Sequence, residues 1–261
     1  MRTARLVWLM LRVQLLNELQ YRANLAVQLL QSVLSLVTGV IMIDLVFGHV
    51  DDLKGWSRPQ LLLVFGVFTL IGGLLRMIVR PAFVKLVEDV RVGGFDFVLT
   101  KPVDAQLWVS CRAINLWQGT DVLFGLGIIG WATTRLAAQI QVTDVVRFCA
   151  ALLLGVVIIY CFLINLVVTS FWFVRTIEMA ELFESLYEAG RWPLTIYPDW
   201  LRAALTFLVP IGLAISLPAD AMVSKLPEYA LPGEFAAAVA FVAFTRWFFR
   251  LGVRRYTGAS A

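Results

Sequence analysis

The strongest constraint on this chain is the length of its uncharged segments. Ala23–Ile43 contains no Asp, Glu, Lys or Arg over 21 residues, and Phe148–Val174 contains none over 27 residues. A helix needs ~20 apolar residues to cross a bilayer. The chain is 60% hydrophobic and 15% charged, whereas soluble domains average about 45–50% and about 25%. These values exclude a soluble enzyme, a disordered chain and a disulfide-stapled scaffold, and they predict an integral membrane protein.

Hydropathy alone predicts six transmembrane spans joined by short loops. Besides the two long runs, there are apolar runs at 60–75, 107–131, 203–219 and 235–249. Residues 1–22 place Leu6, Leu9 and Val13 at helical spacing with arginines elsewhere around the helix, which is typical of an amphipathic helix on a membrane surface. In the long connection after the second span, residues 82–92 predict a short helix that ends at Gly93-Gly94.

The distribution of basic residues predicts the orientation. Of the 22 Lys and Arg residues, 17 fall in segments on one side of the six spans and five on the other. Positive loops face the cytoplasm. We therefore expect a multi-pass protein of the plasma (inner) membrane with both termini cytoplasmic. The net charge of +4 then reflects anionic lipid and not a nucleic-acid partner.

The chain contains no motif for chemistry of its own. A Gly-rich loop ending in Lys-Ser/Thr, a zinc-binding His pair and a nucleophile elbow are all missing from the sequence. Cys111, Cys149 and Cys161 form no paired spacing, and a lone His49 cannot build a metal site. We therefore expect no catalytic, cofactor-binding or metal-binding residues and no enzymatic activity.

Polar residues inside the spans are the next signal. They occur at helical spacing in the first span and in the third span, where Asn115 and Gln118 share a face with Asp121, and as a stripe of glutamates in the segment 172–192. The candidate site residues are Gln28, Gln31, Ser35, Thr38, Asp121, Glu178, Glu181, Glu184 and Glu188. Such residues either join transmembrane helices or line a transport path. By hydropathy the glutamate segment is a helix on the cytoplasmic surface, yet such helices usually present basic residues.

Two motifs resemble the permeases of ABC-2 type transporters, in the subgroup that lacks a fused ATPase. The first motif lies in the loop after the second span, and its matching positions are Gly94, Phe95, Asp96, Leu99, Lys101, Pro102 and Val103. The second motif lies after the glutamate segment, and its matching positions are Tyr197-Pro198, Trp200-Leu201 and Pro210. The resemblance implies a re-entrant segment at 197–220, so that 172–192 becomes the fifth span. Either arrangement crosses the membrane six times.

The resulting expectation is an all-α polytopic membrane protein with one transmembrane domain over 1–261. Its parts are an interfacial helix at 1–22, spans at 23–47, 60–80, 107–132, 145–171, 172–192 and 233–251, a cytoplasmic coupling loop at 81–106, and the re-entrant segment at 197–220.

By the same resemblance, the chain is the membrane subunit of an ATP-driven exporter. ATP and Mg²⁺ would bind a separate ATPase, and a second permease, a different chain in preference to a second copy, would complete the path. The expected ATPase-coupling residues are Glu88, Asp89, Arg91, Gly94, Phe95, Asp96, Phe97, Lys101 and Pro102, with Phe95, Phe97 and Leu99 as apolar docking side chains. The polar residues of the spans would form the path or the permease interface. The alternative is a secondary transporter or channel that uses Asp121 and the four glutamates as cation or proton sites.

Overall fold

The computed structural model describes residues 22–137, 140–172 and 176–256. Every regular element in these ranges is helical, and one isolated bridge joins Leu53 to Trp56. The interfacial helix expected at 1–22 lies outside the described residues, apart from Arg22.

Four helices are long and apolar enough to cross a membrane, and a bent helix pair gives a fifth candidate. Helix α1 is Arg22–Phe47, and helix α2 is Arg58–Leu74. Helix α7 is Val142–Val168, and helix α11 is Ala230–Arg255. The chain is therefore a multi-pass membrane protein. The other two expected spans, the third and the fifth, are not among these candidates.

Helix α2 continues into the cytoplasmic connection without a break. A π-helical turn, Leu75–Val79, joins it to helix α3, Arg80–Val92, and together they form one helical run of 35 residues. Pro81 directly follows the π turn, and the helical run continues through it. The run ends at Gly93, whose φ of 76° is the left-handed conformation that glycine adopts without strain.

The third expected span is interrupted near its start. Helix α4, Asp96–Leu99, and helix α5, Ala105–Cys111, precede a 3₁₀ turn at Leu116–Gln118, and helix α6 then runs over Gly119–Leu136. Helix α6 packs directly on α2. A Cβ at Gly125 would lie 2.5 Å from the backbone nitrogen of Leu70. The two backbones therefore touch, as small residues allow in membrane helix pairs.

The segment with the glutamate stripe forms a short helix followed by two 3₁₀ turns. Helix α8, Thr176–Tyr187, has 12 residues and continues into 3₁₀ turns at Glu188–Arg191 and Leu194–Ile196. The Tyr187 hydroxyl donates to the carbonyl of Phe68, near the middle of α2. Further on, the Trp56 indole N–H in the α1–α2 loop donates to Thr195 at 3.0 Å. Residues 176–195 thus lead from the end of α7 to the level of the α1–α2 loop.

A bent pair of helices follows these 3₁₀ turns. It comprises α9 (Asp199–Ala203) with a π turn at Ala204–Leu208, then a π turn at Gly212–Ser216 with α10 (Leu217–Met222). The two halves meet at 88° around Pro210. After the pair, the chain returns to the α1–α2 loop, which also contacts the residues before the pair. Lys225 donates to the Gly55 carbonyl in that loop at 2.6 Å, and Ser224 donates to Asp144 at the start of α7.

Candidate functional site

A charged cavity lies within the apolar bundle where α2, α3 and α8 meet. Its volume is about 150 Å³. The apolar part of the wall includes Phe83 and Leu163, and the charged part comprises Arg76, Arg80, Glu181, Glu184 and Glu188. A concave site with apolar walls and a few convergent charged groups is the usual form of a ligand-binding site.

The π turn supplies Arg76 of this cavity, and Arg80 follows it as the first residue of α3. Arg76 donates two hydrogen bonds to the same carboxylate oxygen of Asp121 on α6, at 2.7 and 3.3 Å. Arg80 contacts Glu184 on α8 at 3.2 Å. Because π turns carry one residue more per turn than α-helices, they re-aim the side chains that follow and are often found at functional sites.

The Arg76–Asp121 pair is the more buried of the two. The side chain of Asp121 is 10% exposed and that of Arg76 is 34% exposed, whereas Arg80 and Glu184 are 57% and 48% exposed. A carboxylate at this depth requires a cation, and the structure places Arg76 next to it. The sequence interpretation missed Arg76 as that partner. The sequence did contain a signal for it. Asp121 is a carboxylate within the third span and needs a cation, and Arg76 is a basic residue at the end of the neighbouring second span.

The glutamates do not form one acidic surface. Glu181, Glu184 and Glu188 all line the cavity, and Glu188 also pairs at 2.6 Å with Arg191 on its own 3₁₀ turn. All three are exposed, and the side chain of Glu178 lies outside the described residues. Two of the three described glutamates therefore have a basic neighbour within salt-bridge distance.

The polar residues of α1 point in two directions. Gln28 is half-buried, and Ser32 is buried with its hydroxyl 3.3 Å from that of Thr120 on the neighbouring chain segment. Gln31, Ser35 and Thr38 are exposed, on a helix whose span is only 17% buried. The Ser32–Thr120 contact joins α1 to α6, whereas Gln31, Ser35 and Thr38 are open to an outside partner or to lipid.

The coupling loop is folded tightly against the last helix. The ring of Phe95 is fully buried, and its centroid lies 5.2 Å from that of Phe171 and 5.3 Å from that of Tyr256. Arg246 of α11 forms a two-pronged salt bridge with Asp104. The Arg246 hydrogen bond is the main reason that the pKa of Asp104 falls to about 2. These contacts attach residues 95–104 to the end of α11.

The expected coupling residues divide into interior and surface positions. Phe95 and Asp89 are buried, and Asp89 pairs with the partly buried Arg112. Phe95 is therefore not an exposed docking side chain, because the ends of α7 and α11 cover its ring. Phe97 is 75% exposed and Leu99 43% exposed. The remaining positions are at least partly exposed: Glu88, Arg91, Gly94, Asp96, Lys101 and Pro102. Lys101 also lies over the Trp108 ring, 3.6 Å from its centroid.

Comparison with known proteins identifies the family. The family model described as ABC-2 family transporter protein matches residues 33–260. The chain belongs to the ABC-2 transporter family. No curated protein and no solved structure matches it significantly.

Membership of the ABC-2 family confirms the resemblance drawn from the two loop motifs, since both lie within the matched residues. The protein is thus a membrane component of a transport system of the kind that associates with ABC ATPases. No group of three or more His, Cys, Asp or Glu side chains among the described residues could hold a metal ion.

Proposed function

We propose that this ABC-2 protein is the permease subunit of an ATP-binding cassette exporter. It would form the translocation path with a second, different permease and be driven by a separate ATPase that binds ATP and Mg²⁺. The observation that carries the proposal is the charged cavity between α2, α3 and α8, in a chain that belongs to a transporter family and contains no phosphate-binding loop. A permease without such a loop needs an external source of energy.

The proposed topology has six crossings, with both termini on the cytoplasmic side of the plasma membrane. The contacts of residues 176–195 support a fifth crossing there, because one end follows α7 and the other reaches the α1–α2 loop. The bent pair is the proposed re-entrant segment. Its support is that both of its ends contact the α1–α2 loop, through Lys54 with Ile196 and through Lys225 with Gly55. The breaks in its helices are of the kind tolerated at membrane depth only where protein covers them.

Accessibility labelling tests this topology. Single cysteines replace Asp199 or Trp200 in a background that lacks Cys111, Cys149 and Cys161. The Asp199 side chain is 95% exposed and Trp200 is 72% exposed, so each cysteine should react with an impermeant thiol reagent added from outside. Labelling only after the membrane is opened would instead place α8 on the cytoplasmic surface.

Coupling to the ATPase is assigned to residues 88–102. Phe97 and Leu99 supply exposed apolar contacts, and the charged side chains around them set orientation and partner choice more than affinity. Force applied here would reach α2 through the continuous helix α3 and would reach α11 through the Asp104–Arg246 salt bridge.

Co-purification tests this assignment. The full chain is co-expressed with an ABC-type ATPase of the same organism, and the yield of the complex and its rate of ATP hydrolysis are measured in lipid nanodiscs. Phe97→Ala with Leu99→Ala should reduce both. The matched control is Phe235→Ala, which truncates a 59% exposed phenylalanine at the opposite end of α11. Coupling would lie elsewhere if the yield of the complex and its rate of ATP hydrolysis fell equally in the double variant and in Phe235→Ala, or did not fall in the double variant.

The ion pairs argue against the alternative of a secondary transporter or channel. Asp121 is held by Arg76, and Glu184 is held by Arg80. A carboxylate that already has a basic neighbour binds a transported cation less well, because the two positive charges repel each other.

A further inference from the structure

The charged cavity between α2, α3 and α8 also has aromatic walls. Three aromatic side chains line it, Phe83 from α3 with Phe183 and Tyr187 from α8. Each of these side chains is only 4% or 5% exposed. The ring centroids of Phe183 and Tyr187 lie 5.9 Å apart, and Phe68 stacks on Tyr187 with its centroid 4.9 Å away. Packing therefore fixes the rings, and they reach the cavity from two different helices.

The ion pairs of the cavity leave one charge of its lining without a partner. Four of the five charged residues in the lining belong to ion pairs, and these pairs are Arg76–Asp121, Arg80–Glu184 and Glu188–Arg191. The fifth charged residue is Glu181. No basic side chain among the described residues lies within salt-bridge distance of its carboxylate. With every pair counted as neutral, the cavity has an excess of one negative charge.

Aromatic rings beside an unpaired carboxylate are the groups that recognise an organic ammonium ion. The face of an aromatic ring is electron-rich and attracts a cation, and quaternary ammonium groups are bound in this way. The cavity volume of about 150 Å³ is close to that of an apolar cavity that holds one benzene molecule. A trimethylammonium group is of similar size. A divalent metal ion needs several oxygen ligands, whereas Glu181 supplies the one carboxylate in the lining that has no basic partner among the described residues.

We propose that this cavity binds organic cations with an alkylated ammonium group, and that amphipathic cations of this kind are the cargo of the transporter. The ammonium group lies beside Phe83, Phe183 and Tyr187, and Glu181 balances its charge. The apolar remainder of the cation leaves past Val84, which lines the cavity and is 51% exposed. The assignment as cargo rests on the proposed function, whereas the binding itself does not.

A binding titration tests the proposal on the full-length protein without an ATPase. The protein is kept in maltoside micelles, which contain no ammonium group, and the probe is choline, with binding measured by saturation-transfer NMR. The matched neutral probe is 3,3-dimethylbutanol, in which a carbon atom replaces the nitrogen of choline. We expect this alcohol to bind about 30-fold more weakly, the factor for a desolvated cation beside an aromatic ring. Sodium chloride at the same concentration should not displace choline.

Two charge variants separate the role of Glu181 from general surface charge. Glu181→Gln should weaken choline binding by about fivefold, the upper value for an exposed ion pair, and should leave the alcohol unaffected. Glu228→Gln is the matched control, because it makes the same change at an exposed glutamate outside the cavity lining. Arg80→Gln should strengthen choline binding by up to about fivefold, because it removes the basic neighbour of Glu184. A gain of this kind cannot result from a loss of structure.

An aromatic variant tests the rings. Phe83→Leu keeps an apolar side chain of similar volume in the wall, so the alcohol should bind as before. The attraction between the cation and this ring is lost, so choline should bind up to about 30-fold more weakly. Equal effects on choline and on the alcohol would reduce the role of Phe83 to shape.

Several outcomes would overturn the proposal. Equal binding of choline and the alcohol would make the cavity a plain apolar pocket, and an equal loss in Glu228→Gln would leave only general surface charge. Weaker choline binding in Arg80→Gln would contradict the charge count. Short-chain phosphatidylcholine that bound more tightly than choline would make the occupant a lipid headgroup and not a cargo.

The assignment as cargo has its own measurement. In the complex that co-purifies with the ATPase, choline should stimulate ATP hydrolysis, and Glu181→Gln should remove the stimulation. Choline binding in the absence of any co-purifying ATPase would keep the binding site and contradict the proposed function. A complex that assembles and hydrolyses ATP without binding choline would keep the proposed function and contradict this inference.

Discussion

Phe95→Ala should destabilise the coupling loop strongly, although Phe97, two residues away, is 75% exposed. The Phe95 ring is 0% exposed and makes edge-on contacts with Phe171 and Tyr256. Truncating a buried phenylalanine costs about 3–5 kcal/mol, and each lost aromatic pair contributes about 0.5–1.5 kcal/mol of that total. At about 2–4 °C per kcal/mol for a chain of this size, the melting temperature should fall by about 6–20 °C if unfolding is cooperative.

Phe97→Ala is the matched control, because it makes the same chemical change two residues away at a side chain that is 75% exposed. Surface changes usually stay within about 0.5 kcal/mol. Phe95→Leu should recover most of the loss, because a hydrophobic side chain of similar volume refills the site.

Thermal unfolding in lipid nanodiscs measures the effect, and limited proteolysis between residues 93 and 104 shows whether the loop opens first. The reasoning would be refuted if Phe95→Ala and Phe97→Ala melted at the same temperature and were cleaved at the same rate. That result would mean that the aromatic cluster does not hold the loop on α11.

Two further predictions concern the ion pairs. Arg76→Gln and Asp121→Asn should each destabilise the protein by about 3 kcal/mol. This is the low end of the cost of breaking a buried ion pair, because Arg76 is partly exposed. The double variant should be more stable than either single variant, because it leaves no unpaired charge. Thermal melting of the three variants checks this, and additive losses would contradict it. The second prediction concerns pH: because the pKa of Asp104 is lowered from 3.8 to about 2 by Arg246, its contribution to stability is complete above pH 4 and is lost as the pH falls towards 2. Asp104→Asn should therefore lose less stability than the unaltered protein between pH 5 and pH 3, and equal losses in denaturant titrations would contradict the assignment.

The sequence predicted the long elements well because their signals are local. The uncharged run 23–43 lies in α1, and the run 148–174 covers most of α7. Gly93 ends the helix of the coupling loop, and the helix pair bends at Pro210. In each case the signal is chain hydropathy or a residue with restricted or unusual backbone freedom, so it does not depend on a distant partner.

The charged cavity and the buried coupling residues could not be derived in this way. Asp104 and Arg246 are 142 positions apart, and no local pattern pairs them. The burial of Phe95 depends on Phe171 and Tyr256, which arrive from two other parts of the chain. The π turn adds a further obstacle, because one extra residue per turn shifts every later side chain away from the 3.6-residue pattern of α2.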